Sequence, residues 1–510
     1  MNIFSHQNVG TTEEKGQDAK RTILSGTNLI GDICKTTLGP KGMLKILKGD
    51  TKNQNISNDG AFILKNLQID SASARIIINS SIGQDWEEGD GTTSVAVLSS
   101  ILINEISKLN IHPIKIIRGL RMAQERCEKV LNKISSVPTD EDIKSLINTT
   151  LCSKVLKYDL EKFTNMCIKA VEGLEGKTDL NLIQIIKCPG KLEDSYLDDG
   201  FILNKEAVIK TIKNPKILLA NTSLDQDKIK VFGAKINVSS VSDLAEMERI
   251  ERDKMNSKIE NICQNKIDCF INRQLIYDYP MQLLKNKGVQ PIENADFDGI
   301  ERLNNVLGGK ILSTFDNLDE SVYGTCEEIK NVNIGGKKFI KFSGIKNGAS
   351  TIVLFGSSKE MLDEAERSLH DALCVLIKIK ENPKIVYGGG SSEMALAVEL
   401  AKYALEIPGV ESEAISAFSS ALQNIPVILS ENGGFNGNEL KSQLRSKHNS
   451  GAYTYGVNLE KGVVQCMKEC HVVDSFRIKK RVICASSEVA QMIIKCDGIV
   501  KLQPRERTRH

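Results

Sequence analysis

The chain has 510 residues, 41% hydrophobic and 26% charged, with 67 Lys and Arg against 65 Asp and Glu. That length exceeds a single core and is expected to divide into three or so domains. The apolar fraction excludes wholesale disorder, and a net charge of +2 excludes a general nucleic-acid binder. No apolar run is long enough for a membrane helix, and MNIFSHQNVGTTEEKG lacks the regions of a signal peptide, so a cytoplasmic chain is expected. The 13 cysteines are scattered, mostly in apolar stretches (Cys34, Cys127, Cys269, Cys374), as small buried hydrophobes in a reducing compartment would be. Cys466 and Cys470 form no CxxC, and no histidine cluster of zinc spacing lies near them.

In chain order, Thr11 to Glu14 reads as a capping box before a helix with apolar positions Ile23, Leu24, Ile30, Ile33, Cys34 and Leu38. That helix is expected to stop at Gly39-Pro40, a tight turn leading to a strand near Met43 to Leu47 and a second near Asn55 to Ser57. Asn58-Asp59-Gly60 then caps a helix through Leu67, and longer helices are expected from about Thr92 to Leu109 and from Pro113 to Ile134, the latter with proline in its first turn. Ser136 to Thr139 marks a boundary. The middle third carries short β-rich runs at 182–187, 216–220, 267–271, 310–313, 332–334, 338–342 and 350–355, with Gly335-Gly336 reading as a hairpin turn. Ser242 to Ile262 is a charged helix whose thin stripe (Leu244, Met247, Ile250, Ile259, Ile262) buries little. Ser358 to Lys380 is a long helix with an apolar stripe on Leu362, Ala365, Leu369, Leu373 and Leu376; Glu364, Arg367 and Asp371 fall on another face, which leaves Asp371 free to point into a cleft or to be one more solvated carboxylate. The remainder is read as helical, apart from a strand at 498–502 and a frayed tail, QPRERTRH. Two helical thirds flanking a β-rich centre suggest a chain that leaves one domain, builds others and returns.

The chemistry concentrates in glycine-flanked turns. Within Glu88 to Ser94 a carboxylate flanked by two glycines is followed by three hydroxyls at the start of an apolar helix, where unpaired amides and the helix dipole attract anions. An ordinary N-cap is the plain alternative there. Walker A and a strand followed by GxGxxG are both absent, so ATP would need a different cradle. Turns at 38–42, 58–60, 89–94 and 388–390 allow close backbone approach, and Asp59, Asp90 and Asp371 offer oxygens for magnesium and a water. Each turn alone is only a turn.

Together, TTLGPKGM (36–43), NDGAFIL (58–64), GDGTTS (89–94) and GGGSSE (388–393) resemble the shared nucleotide motifs of the group II chaperonins, and the likeness runs along nearly the whole chain. Longer runs at 194–203, 227–238, 269–280, 295–303 and 365–376 are similar to one subunit type of the eukaryotic cytosolic members. The resemblance implies a multi-domain α+β, GroEL-like fold: a helical equatorial domain (1–137 and 384–510), a small intermediate hinge (138–204 and 354–383) and a β-rich apical domain (205–353) with a helical protrusion. It implies an ATPase with ATP and Mg2+ as cofactors, in a hetero-oligomeric double ring of paralogous subunits that encloses non-native clients of the actin and tubulin class. Neither nucleic acid nor a membrane is an expected partner.

By position, Leu38, Gly39, Pro40, Gly91, Thr92, Thr93 and Ser94 would hold phosphates, Asp90 the metal, Gly389 would lie by the nucleotide, Asp474 and Lys479 would contact ribose or base, and Ser153 with Lys154 would sense the γ-phosphate. Asp371 matches the hydrolytic carboxylate, with Asp59 assisting. The helix at 242–262 matches a built-in lid, and Tyr279 to Lys287 the helix that faces clients. The Met43 to Ser57 hairpin and the 498–502 strand imply strand exchange between neighbours. Phe62, Cys152 and Ser430 to Asn436 depart from the family pattern and bear on nucleotide affinity. A ring scaffold without turnover is the alternative, which Asp371 and Asp59 argue against; a free-standing ATPase is another.

Overall fold

The computed structural model describes residues 12–48, 54–174, 178–206, 209–224, 241–295, 297–315, 318–345 and 348–501. The chain divides into two compact units, one of residues 1–165 and 363–510, the other of 166–362.

The first unit is a helical body around one large core. The helices Gly16–Lys35, Ala72–Glu88, Thr92–Ser107, Pro113–Ile134, Glu411–Asn432 and Phe476–Ile494 bury Ile30, Ile77, Leu98, Leu102, Leu120, Phe418 and Leu422 against one another. Several ends are fixed by local chemistry. His112 accepts from the Ile114 amide with Pro113 in the first turn, and Thr139 and Asp142 form a reciprocal capping box that opens the helix Asp140–Cys152.

The first expected helix starts later than its sequence suggests: Thr12–Lys15 is a strand paired antiparallel with Gly498–Lys501, and the helix begins at Gly16. Thr11 of the expected capping box, Leu502 of the expected strand and the QPRERTRH tail lie outside the described residues. Lys45–Lys48 pairs with Gln54–Ser57. The last third is less uniformly helical than expected. Ile385–Tyr387 pairs with Val473–Ser475, and Tyr455–Asn458 with Val463–Cys466; these strands of three or four residues are too short to show a period in sequence.

The second unit contains the β-rich runs. Ile183–Pro189 lies parallel to Ser350–Gly356, which also pairs with Tyr196–Asp199. Glu328–Ile334 and Lys337–Ser343 form the expected hairpin, with Gly335 and Gly336 at φ of 59° and 83°, the left-handed region where glycine carries no penalty. A parallel sheet through Lys216–Ala220, Cys269–Asn272 and Gln290–Ile292 packs Leu218 and Phe270 into a second core. The charged helix spans Val241–Cys263, and it is better anchored than its thin stripe suggests: Ile259 and Ile262 are fully buried in this core, while Ile250 is exposed.

Candidate functional site

Within the first unit, the glycine turns fall at helix ends. Gly89 closes the helix Ala72–Glu88 in the left-handed conformation, its amide donating to the Asp85 carbonyl at 2.9 Å. Gly91, at φ 83°, then opens Thr92–Ser107. The ordinary side-chain cap, the alternative reading of this stretch, is absent: no side chain caps this helix, and the Asp90 carboxylate instead accepts from the Gly91 amide at 2.7 Å. The first-turn amides of Thr92, Thr93 and Ser94 are thus left without a side-chain acceptor, as an anion cradle requires. Gly390, at φ 76°, opens Ser391–Glu406 in the same uncapped way. Gln84 fixes the loop from below, its amide nitrogen donating to the Asp90 carbonyl at 2.9 Å.

Asp59 does cap, and it caps a shorter helix than expected, Gly60–Lys65. Its two oxygens accept from the Ala61 and Phe62 amides at 3.2 Å each, and the Thr92 hydroxyl donates to the same carboxylate at 3.0 Å. A Cβ at Gly60 would lie 2.7 Å from the Thr93 amide nitrogen, so glycine is required for the two helix N-termini to meet.

One residue earlier, the Asn58 side chain donates to the Ser153 carbonyl, and the next residue, Lys154, forms an ion pair with Asp371. Thr92, Asp59, Asn58, Ser153, Lys154 and Asp371 therefore form one continuous thread.

Asp371 is not free, as its sequence position suggested. It is 7% exposed and Lys154 8%, so both charges are largely out of water and each depends on the other. Glu364 on the same helix, Lys359–Glu381, is also buried and bonds Arg367 at 2.6 Å. The face that looks polar in sequence is buried because each charge on it is paired.

Burial raises the Asp90 carboxyl pKa, and Lys154 and the Gly91 amide only partly offset this. Asp85, one turn before the loop, is pushed up to about 6 by burial and then by the charge of Asp59. The ionised form of Asp90 is thus costly by itself and calls for a cation, which fits a magnesium ligand.

A second group gathers around Gly389. Lys479 bonds Glu393 at 2.6 Å and Asp474 at 3.0 Å. Burial opposes its charge, but the two carboxylates outweigh burial and raise its pKa. Lys479, Glu393 and Ser94 line one small internal space. Asp474 pairs across strands with Val386, and a Cβ at Gly388 would lie 3.0 Å from its carboxylate oxygen. Gly389 accepts from the Val457 amide at 2.9 Å, and any side chain there would meet Met467 at 2.8 Å.

The Leu38-Gly39-Pro40 turn is placed differently. Besides its own backbone bonds, such as the Gly42 amide to the Gly39 carbonyl at 3.0 Å, it is tied to Asn432, whose amide nitrogen donates to the Lys35 and Leu38 carbonyls at 2.8 Å each. Leu38 buries its side chain, and Gly39, at φ 86°, faces Leu429.

Asn432 is a residue that the sequence reading missed as a contributor. It lies in the departing segment 430–436, and only the fold brings it to the turn. Cys152 closes the helix Asp140–Cys152 with its thiol pKa raised by burial, so it is a neutral group beside Ser153. All 13 cysteines are free. Among the described residues no cluster of metal-ligating spacing occurs and no helix is long and apolar enough to cross a membrane.

Residues 30–504 match the model of the TCP-1/cpn60 chaperonin family. The chain belongs to that family. This chaperonin chain is 68% identical over 509 residues to T-complex protein 1 subunit beta of Encephalitozoon cuniculi, with all of both chains covered. It is 44% identical to the protein of that name from Arabidopsis thaliana (97% of each chain) and 43% identical to that from Homo sapiens (99% of this chain, 97% of the other). The group II chaperonin resemblance and its multi-domain α+β fold are thereby borne out.

Proposed function

We propose that this chain is an ATP-hydrolysing subunit of the cytosolic, hetero-oligomeric double-ring chaperonin that encloses non-native proteins of the actin and tubulin class. The supporting observation is the thread from the uncapped N-terminus at Thr92 through Asp59 to Lys154 and Asp371. Phosphoryl transfer needs charge neutralisation and an oriented water more than covalent chemistry from the protein, and this thread supplies donors for phosphate oxygens beside two carboxylates for a water.

The equatorial, hinge and apical boundaries given above belong to the same proposal, as do the lid at 242–262 and the client-facing segment at 279–287. In that segment Tyr279 is exposed and bonds Asn256 at 2.9 Å, which suits partly polar contact. Strand exchange fits the exposed apolar residues Met43, Leu44 and Ile46 around the Lys45–Lys48 strand, an edge that an added strand would cover.

In the proposed cycle the amides of Thr92, Thr93 and Ser94 and the Gly39-Pro40 turn bind phosphates, and Asp90 holds magnesium. That ion neutralises phosphate charge when bound. Lys154 exchanges Asp371 for the γ-phosphate, an anion of greater charge, and this frees the Asp371 carboxylate to orient and deprotonate water, with Asp59 holding the opposite side. Gly389, Asp474 and Lys479 bound the nucleoside end.

One observation favours the scaffold alternative: Lys154 holds one oxygen of the Asp371 carboxylate, and that oxygen is closed to a water while the pair lasts. The native mass of the complex in which the chain is purified from its own cell tests the ring. Assembly many times the 56.2 kDa of one chain is expected; a monomer turning over ATP freely would overturn it.

A further inference from the structure

The helix Lys359–Glu381 presents Glu364, Arg367, Asp371 and Cys374 at spacings of three, four and three, which places all four on one face. Two contacts bracket Asp371 on that face. One turn later, Cys374 packs against Gly89 so closely that a Cβ there would lie 2.5 Å from the Cys374 Cβ. One turn earlier, the Arg367 guanidinium lies over the Phe62 ring, 3.9 Å from its centroid.

Neither partner in the stack is loose. Two guanidinium nitrogens of Arg367 bond one Glu364 oxygen at 3.1 and 2.6 Å, and Glu364 is 2% exposed, so the plane of the fork is set before it meets the ring. Phe62 is held by its own amide, which donates to the Asp59 carboxylate. The stack therefore seats the helix carrying Asp371 directly on the turn carrying Asp59.

We propose that Arg367 is the positioning residue that sets Asp371 against Asp59, by stacking on Phe62. The proposal rests on the ATPase reading above. An ion pair to a lysine cannot do this job, because a four-carbon stem follows its partner as the helix slides and leaves once Lys154 turns to phosphate. A planar stack on a fixed ring is lost when the helix moves along its axis, and Asp371, about 6 Å further along it, moves by the same amount. Glu364 takes Nε and Nη2 of Arg367, and Phe62 covers one face of the guanidinium.

Assembled complexes carrying Arg367→Ala, Arg367→Lys, Phe62→Ala, Phe62→Tyr or the double alanine variant test this. The subunit's share of turnover is defined as the part lost in Asp371→Asn. Both single alanine variants are expected to lower that share about 10-fold or more through kcat, with the KM for ATP changed less than about twofold. The double variant should be no worse than either single one, Phe62→Tyr should retain the share, and Arg367→Lys should recover part of it. Amide exchange along 367–374 should rise in the alanine variants without nucleotide present. An unchanged share, an unchanged exchange rate, a loss carried by KM or a multiplicative double variant would each overturn the positioning role. If Asp371→Asn removes no turnover, the catalytic reading fails first and takes this proposal with it.

Discussion

Asp371→Asn is expected to lower this subunit's ATP turnover by about 10²- to 10⁴-fold, the usual worth of a positioned general base, while nucleotide binding persists. Asparagine is the substitution of choice because of what surrounds the residue. Asp371 and Lys154 are buried together, and deleting one partner of such a pair leaves a charge stranded at a cost of about 3–5 kcal/mol. Alanine would confound loss of chemistry with loss of structure. Asparagine also removes the counter-ion, but it keeps the shape and an oxygen acceptor for the ammonium, which lessens that cost, and it cannot take a proton from water. Single-turnover measurement on the assembled complex separates the two effects. Undiminished hydrolysis in this subunit's sites would sink the catalytic role and leave the scaffold reading.

Asp90→Asn should separate stability from binding in opposite directions. Burial raises the folded-state carboxyl pKa, so the folded form holds its proton to higher pH than the unfolded chain does. The sign follows: without metal, the ionised group costs stability above its folded pKa, and this cost disappears as pH falls toward the unfolded value. Asparagine removes that cost at neutral pH and can still accept from the Gly91 amide. The variant is therefore expected to be at least as heat-stable as the parent without nucleotide. It should also lose the stabilisation that Mg-ATP gives, with affinity weakened about 100-fold, a loss of ~2.7 kcal/mol. Thermal melts with and without Mg-ATP check both halves. A variant still stabilised by Mg-ATP to the same extent would remove Asp90 from the metal.

How far each feature was readable in sequence follows from its range along the chain. Gly39, Gly89, Gly91, Gly389 and Gly390 all adopt positive φ, and a local conformation that favours glycine leaves a local mark. The spacing of Asp371 on its helix was equally local. Its pairing with Lys154 was not, because 217 residues separate the two and an amphipathic pattern assigns a charged face to water by default. Asn432 at the Leu38 carbonyl, 394 residues away, was hidden for the same reason. Phe62 was marked as unusual, but its meaning needs Arg367 above its ring. At the level of fold, most of the long helices declared themselves, but Ala72–Glu88 was not read from the sequence. The strands at 385–387, 455–458, 463–466 and 473–475 did not, since three or four residues carry too little period to compete with flanking helices.

The central claim is that one nucleotide site joins the Asp90 loop, Asp59 and Asp371, with Lys154 as the group that changes partner. A map of the assembled ring with magnesium and a non-hydrolysable ATP analogue bound tests it most directly. The account predicts phosphates at the Thr92 N-terminus, the metal on Asp90, Lys154 on the terminal phosphate, and Asp371 released and facing that phosphate across from Asp59. Nucleotide bound elsewhere, or bound there with Lys154 still paired to Asp371, would contradict it.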